Sequence, residues 1–177
     1  MSDTFSIGLF YGSTTCYTEM AAEKIQARLN ALFDDEVVHL HNIETDSLHK
    51  TAHYDVVIFG ISTWDFGELQ EDWESHWEET HSLPLAGKTV ALFGLGDQLG
   101  YADWFQDALG MLHDAIKPSG CQIIGYWPIE GYEFTASKAL TEDGTHFVGL
   151  SLDDENQYEQ TDSRIAQWCE QLLTELA

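Results

Sequence analysis

The sequence predicts an α/β fold: a doubly wound, five-stranded parallel sheet with helices packed on its faces. Three observations lead there. Short apolar runs alternate with longer amphipathic stretches along the whole chain, the pattern of βαβ units joined by right-handed crossovers. One run, Asp55-Val56-Val57-Ile58-Phe59-Gly60, is β-branched and apolar on both faces, as a strand covered from both sides must be. The length, 177 residues, suits one domain with a core of its own at roughly 100–200 residues per domain. No repeat, low-complexity tract or linker divides the chain, so residues 1–177 read as one unit.

The elements come in order. Phe5-Ser6-Ile7-Gly8-Leu9-Phe10 reads as a buried first strand. Helical spacing comes next at Ala21, Ile25, Leu29 and Leu32, with Lys24 and Arg28 on the other side. Val37–His41 is the second strand, and 43–51 is ambiguous, at most a helical turn. The third strand is Asp55–Gly60, and 68–80 reads as a very acidic helix. Lys88–Gly94 is the fourth strand. The helix after it carries Phe105, Ala108, Leu109, Leu112 and Ile116 on one stripe, and Pro118-Ser119-Gly120 stops it. Gln122–Tyr126 is the fifth strand. The last helix carries Ile165, Trp168, Leu172, Leu173 and Leu176, with Thr161 or Asp162 near its cap. One stretch breaks the rhythm. Residues 127–146 form an unusually long connection that reads either as an insertion splitting the fifth strand or as a small lobe.

Composition limits what the chain can do. Acids number 31 and Lys plus Arg only 7, a net charge of −24. With no basic patch, nucleic acid is excluded as a partner. No apolar run reaches the roughly 18 residues of a membrane span, and Met1-Ser2-Asp3-Thr4 lacks the start of a signal peptide. Cys16, Cys121 and Cys169 are too scattered for a disulfide framework or structural zinc site, which points to free thiols in a reducing cytoplasm. The eight histidines lack metal-site spacing, and no nucleophile elbow is present. No catalytic constellation is visible.

The chemistry lies in three turns. Such sheets bind ligands outside the carboxyl ends of their strands, so the turns after strands one, three and four converge. The first, Tyr11-Gly12-Ser13-Thr14-Thr15-Cys16-Tyr17-Thr18, puts hydroxyls at a helix N-terminus. Free N–H groups and hydroxyl donors there can hold a phosphate without a cation. The second, Ser62-Thr63-Trp64-Asp65-Phe66-Gly67-Glu68, carries two aromatics; the third, Gly94-Leu95-Gly96-Asp97-Gln98-Leu99-Gly100-Tyr101, offers glycines and another flat ring. The glycines suggest main chain brought close to a ligand edge. Taken singly, these turns also read as an ordinary helix cap, a tryptophan folded onto the core and a flexible loop. Together they describe a site for a flat, phosphorylated heterocycle, and FMN fits that description.

On these residues the chain resembles a flavodoxin over its whole length. The three turns are similar to the family's phosphate loop and its two flavin loops, Gly125-Tyr126-Trp127 and Gly131-Tyr132 match the family pattern, and 127–146 resembles the insertion of long-chain members. Within that group it is most similar to the enterobacterial subgroup with a Cys in the phosphate loop. The resemblance implies a flavodoxin-like three-layer α/β/α domain with a five-stranded parallel sheet of order 2-1-3-4-5 and an insertion splitting strand five. It implies a low-potential one-electron carrier with non-covalent FMN, shuttling between semiquinone and hydroquinone. It also implies a monomer that takes electrons from an NADP-linked reductase and passes them to acceptor redox enzymes. A flavin-dependent quinone reductase on the same fold is the alternative, although no basic or glycine-rich second site for a nicotinamide is present.

Residue by residue, the resemblance implies that Ser13, Thr14, Thr15, Cys16, Tyr17 and Thr18 hold the phosphate. Ser62, Thr63, Phe66 and Gly67 bind the cofactor from the second loop, and Trp64 and Tyr101 flank the isoalloxazine. The main chain of Leu95, Gly96 and Asp97 meets the pyrimidine edge, Gln106 reaches it with its amide, and Glu155 lies near the ribityl chain. The carbonyl of Asp65 falls where the family hydrogen-bonds flavin N5. Two positions depart from the commoner pattern, Cys16 and Asp65, each where relatives have glycine. The main chain at Cys16 is therefore expected to suit a side chain, and Asp65 to resist a positive φ.

Between Ser62 and His81 the chain holds Asp65, Glu68, Glu71, Asp72, Glu74, Glu78 and Glu79 and no Lys or Arg. Carboxylates about 8–12 Å from a reduced, anionic ring disfavour it by roughly 0.3–2 kcal/mol each, which lowers its potential. The same acidic surface calls for partners with basic patches and association that slows with salt.

Overall fold

The computed structural model describes residues 5–177. The reading of Met1–Thr4 for a leader lies outside the described residues. The elements run β1 (Ile7–Tyr11), α1 (Tyr17–Phe33), β2 (Val38–Asn42), β3 (Val56–Trp64), β4 (Glu68–Leu69), α2 (Glu71–Ser75), α3 (Trp77–Thr80) and β5 (Thr89–Leu95). Then come α4 (Asp107–Ile116), β6 (Gln122–Ile124), β7 (Trp127–Pro128), β8 (His146–Phe147), β9 (Leu150–Leu152) and α5 (Tyr158–Leu176). The ambiguous stretch after β2 holds a 3₁₀ helix at Leu48–His53.

The main sheet runs β2-β1-β3-β5-β6, all parallel, and β9 also pairs with β5 in parallel. β6 lies along Thr89–Ala91 and β9 along Phe93–Leu95. They are two halves of one fifth strand, and residues 125–149 leave the sheet between them. The expected order 2-1-3-4-5 and the split fifth strand are what the chain forms. Helices cover both faces, with α1 against α5 and α4 against β3 and β5. Ile7, Leu9, Val57, Ile58, Phe59, Leu92 and Phe93 are fully buried, each large apolar side chain contributing roughly 1.5–3 kcal/mol.

The helices match their apolar stripes. α1 buries Ala21, Ala22, Ile25 and Leu29 and ends where Asp34 turns left-handed at φ 53. Asn30 Oδ1 then accepts the N–H groups of Val37 and Val38 at 2.9 and 3.0 Å and starts β2. Two elements differ from the sequence reading. The helix expected over 68–80 is a short strand, β4, followed by two short helices broken at His76. Trp73 is fully buried and its indole donates to Gly60 O at 2.8 Å, which draws α2 onto the sheet. Glu74 and Glu78, four apart, would repel on one continuous helix. The last helix begins at Tyr158, ahead of the expected cap, and Thr161 lies buried in its first turn with its hydroxyl donated to the Asp154 carboxylate.

The insertion covers the sheet rather than standing off it. β7 and β8 pair antiparallel. Tyr132 and Phe134 pack on Phe105 and Phe147, and the Arg164 guanidinium lies 4.1 Å over the Tyr132 ring. The main chain of 135–138 is tied to Ala102 and to the Asp107 carboxylate.

Candidate functional site

The three strand-end turns meet in a cavity of about 390 Å³. Thr15, Tyr17 and Thr18 wall one end, where α1 starts; Ser62, Thr63, Trp64 and Asp65 come from the end of β3; Leu95, Gly96, Asp97 and Tyr101 lie at and beyond the end of β5. Asp154 and Glu155 close it from the end of β9. No Lys or Arg lies in these walls.

The first loop rises from β1 and feeds α1 through Cys16, which sits left-handed at φ 70. The expectation that the main chain there suits a side chain is not met: the loop keeps a glycine-like bend and carries a thiol on it. Ser13 Oγ accepts the N–H of Glu19 at 3.4 Å. The N-terminus of a long helix, with unpaired N–H groups and a partial positive charge, thus faces the Thr15–Thr18 end.

In the second loop the Trp64 indole donates to Ser62 Oγ at 2.9 Å, which sets the plane of the ring. Thr63 Oγ1 accepts the N–H of Ala108 at 3.0 Å and ties the loop to α4. Asp65 is already at φ 46, so the expected resistance to a positive φ is overcome in this fold. Phe66 is 67% exposed, packs edge-on against Trp104 and, like Gly67, lies outside the cavity wall.

The third loop is held from behind. Asp97 Oδ1 accepts the N–H groups of Leu99 and Gly100 at 3.1 and 2.7 Å, and a Cβ on Gly100 would overlap that carboxylate. This glycine therefore serves the loop's own packing rather than a ligand. Gly96 N–H donates to Leu152 O at 3.0 Å, joining the loop to β9.

Ser13, Thr14 and Cys16 share the first loop but stand outside the cavity wall. Gln106 departs from its expected role. It is fully buried, its Nε2 donates to Gly94 O and Leu152 O at 3.2 and 3.1 Å, and the side chain does not enter the cavity. It is drawn inward because its left-handed main chain, φ 61, caps α4 between the ends of β5 and β9. Glu155 does reach the wall, and Asp154 joins it unforeseen. Burial raises the Asp154 carboxyl above its ordinary value, against the opposing Thr161 hydroxyl and Lys24 charge. The sequence reading also misses Gln70 and Asp153, both buried polar groups that support the loops. A lone Gln or Asp beside an acidic run carries no signal of burial.

Among the described residues no group of three or more His, Cys, Asp or Glu is arranged to hold a metal ion. No helix among them is long and apolar enough to cross a membrane. The flavodoxin family model matches residues 9–168, a span that contains all three cavity loops and the split strand. This chain belongs to the flavodoxin family. It is 58% identical over 172 residues to flavodoxin 2 of Escherichia coli K12, covering 97% of each chain. It is 45% identical to the flavodoxin of Synechococcus elongatus, covering 96% of each. Among solved structures, the Fusobacterium nucleatum flavodoxin bound to flavin mononucleotide superposes with a TM-score of 0.87 at 27% identity, over 97% of this chain and 99% of that one. As a flavodoxin, the chain is an electron-transfer protein rather than an enzyme.

The cavity can be tested against such a cofactor. Its hydroxyls and helix terminus suit a phosphate where no cation is present. Trp64 and Tyr101 offer flat faces, and the acids Asp65, Asp97, Asp154 and Glu155 would oppose added negative charge on a ring. The donor set fits FMN.

Proposed function

We propose that this flavodoxin is a low-potential one-electron carrier that binds FMN non-covalently in the cavity. The observation that carries the proposal is the convergence of three strand-end loops on one cation-free cavity walled by Trp64 and Tyr101. FMN, when bound, supplies the redox chemistry; the chain's residues bind it, shield it and set its potential.

Ser13, Thr14, Thr15, Cys16, Tyr17 and Thr18 take the phosphate through main-chain N–H groups and hydroxyls. Trp64, fixed by Ser62, and Tyr101 hold the ring. The main chain of Leu95, Gly96 and Asp97 meets its pyrimidine edge, Glu155 lies along the ribityl chain, and the Asp65 carbonyl is the acceptor for N5. Phe66 and Gly67 complete the turn that carries that carbonyl. Gln106 acts from behind, through Gly94 and Leu152. The acids of the second loop, α2 and α3 make electron uptake less favourable.

The working form is a cytoplasmic monomer. Its acidic surface meets basic patches on an NADP-linked flavodoxin reductase and on acceptor redox enzymes, and association slows as salt rises.

The test is titration of apoprotein with FMN, followed by stepwise photoreduction under absorbance. Stoichiometric binding and two resolved one-electron steps are expected. A preparation that stays colourless with excess FMN would overturn the reading. Rapid NADPH oxidation by the purified protein alone would replace the carrier with a reductase.

A further inference from the structure

We propose that Gln70 is a positioning residue for the phosphate end of the site, holding the first loop in its anion-binding shape through the hydroxyl of Thr14. The proposal rests on the FMN reading above.

Gln70 is fully buried, and all four hydrogen-bonding capacities of its amide are used. Oε1 accepts the N–H groups of Asp72 and Trp73 at 3.1 and 3.3 Å and so caps α2. Nε2 donates to Asp72 Oδ2 and to Thr14 Oγ1, each at 3.0 Å. A flipped amide would set its oxygen against the Asp72 carboxylate and its NH₂ against two N–H groups, so the orientation is fixed. Space for the amide comes from Gly12, where any Cβ would overlap Oε1. The amide is thus seated directly against the start of the first loop.

The other end of this chain of contacts is rigid. The Trp73 indole is bonded to Gly60 O in the middle of the sheet. Thr14 is therefore linked through Gln70 and Trp73 to the sheet rather than to its own exposed loop. The loop needs an outside hold, because Cys16 at φ 70 is in a conformation that a residue with a side chain resists. No cation stands in the wall, so the attraction for an anion comes from N–H and hydroxyl groups pointing together. Loosening Thr14 would scatter them. The loss would fall on the phosphate and spare the ring, which binds to the other two loops.

That selectivity is the test. Apoprotein is titrated with FMN and with riboflavin, which lacks the phosphate, by quenching of flavin fluorescence. Thr14→Val removes the acceptor and leaves Gln70 and the α2 cap in place. It is expected to raise the FMN Kd about tenfold, the scale of one lost hydrogen bond in a buried network, and to leave the riboflavin Kd unchanged. Thr14→Ser, which keeps the oxygen, restores FMN binding. In a Gln70→Leu background, Thr14→Val costs less than it does in the wild-type chain, because the bond between the two residues is already lost; Gln70→Met replaces the leucine variant if thermal unfolding shows that it does not fold. An unchanged FMN Kd in Thr14→Val, an equal loss for both flavins, or a full Thr14→Val effect without Gln70 would each overturn the proposal. Wild-type protein that binds neither flavin would instead overturn the cofactor reading beneath it.

Discussion

Asp153, fully buried at the end of β9, accepts both the main-chain and the side-chain N–H of Gln98, at 3.0 and 2.8 Å. The same carboxylate accepts the main-chain N–H groups of Glu155 and Asn156 and the Asn156 amide. Asn156 also donates to Asp97 at 2.7 Å, and Gln98 Oε1 accepts the N–H of Glu133 in the insertion. One buried carboxylate thus ties together the third loop, the approach to α5 and the inserted segment. Asp153→Ala strands several buried donors at once and is expected to destabilise the apoprotein by about 3 kcal/mol. Urea unfolding measures this; a loss below about 1 kcal/mol would mean that water replaces the carboxylate.

The Ser62–Trp64 hydrogen bond makes the ring face a fixed platform. Ser62→Ala removes the acceptor without touching the indole, and frees Trp64 to turn. FMN and riboflavin affinities are both expected to fall about fivefold, near 1 kcal/mol. A fall for FMN alone would place Ser62 at the phosphate instead.

Cys16 stands exposed on the first loop, whereas Cys169 is buried. A bound phosphate would cover the Cys16 thiol and repel an anionic attacking reagent. An anionic aromatic disulfide is therefore expected to modify Cys16 at least about tenfold faster in apoprotein than in holoprotein, with Cys16→Ser as the control. Equal rates remove Cys16 from the phosphate site.

Asp65 at φ 46 combines a strained main chain with a charge in the cavity wall. Asp65→Gly relieves left-handed strain of roughly 1–2 kcal/mol, offset in part by the roughly 0.5–1 kcal/mol entropic cost of glycine, and removes the charge. The apoprotein is expected to gain stability, and each one-electron potential to rise by about 10–90 mV, from roughly 0.3–2 kcal/mol of lost repulsion. Potentiometry showing unchanged potentials would make the charge irrelevant to tuning.

Burial pushes the Cys169 thiol from 9.0 up to about 12. The unfolded chain loses this proton first, so the stabilisation is complete below pH 9.0 and is lost as pH rises through the folded value near 12. Across that window the thiol's share of stability falls by about 1.4 kcal/mol per pH unit. Cys169→Ala should flatten the decline just above pH 9.0, before the tyrosines with an ordinary value of 10.0 contribute. An identical slope in the variant would show that unfolding is insensitive to this group.

The strands and helices are legible in the sequence because each strand is a separate apolar run and the helices between them keep their stripes, whereas the order of the strands comes from the family resemblance alone. The cavity loops are legible for the same reason: strand ends are marked, and the turns beyond them must converge. The acidic segment misleads because charge pattern alone does not reveal that Trp73 reaches Gly60 or that Gln70 turns inward. Gln106 misleads because its direction depends on a left-handed main chain that no local pattern announces. For 127–146 the choice between a lobe and a cover rests on the packing of Tyr132 and Phe134 against Phe105 and Phe147, contacts distant in sequence that composition does not encode.

The divided fifth strand has an effect on how molecules meet. β6 and β9 each offer only Gln122–Ile124 and Leu150–Leu152 along that border, and Gly125 at φ 81 bends the chain away between them. A long straight outer strand is a template on which another polypeptide can lengthen the sheet. Here β6 is a template of three residues, too short to copy, and β9 is buried under the insertion, so this border resists fibril-like growth when many copies crowd together.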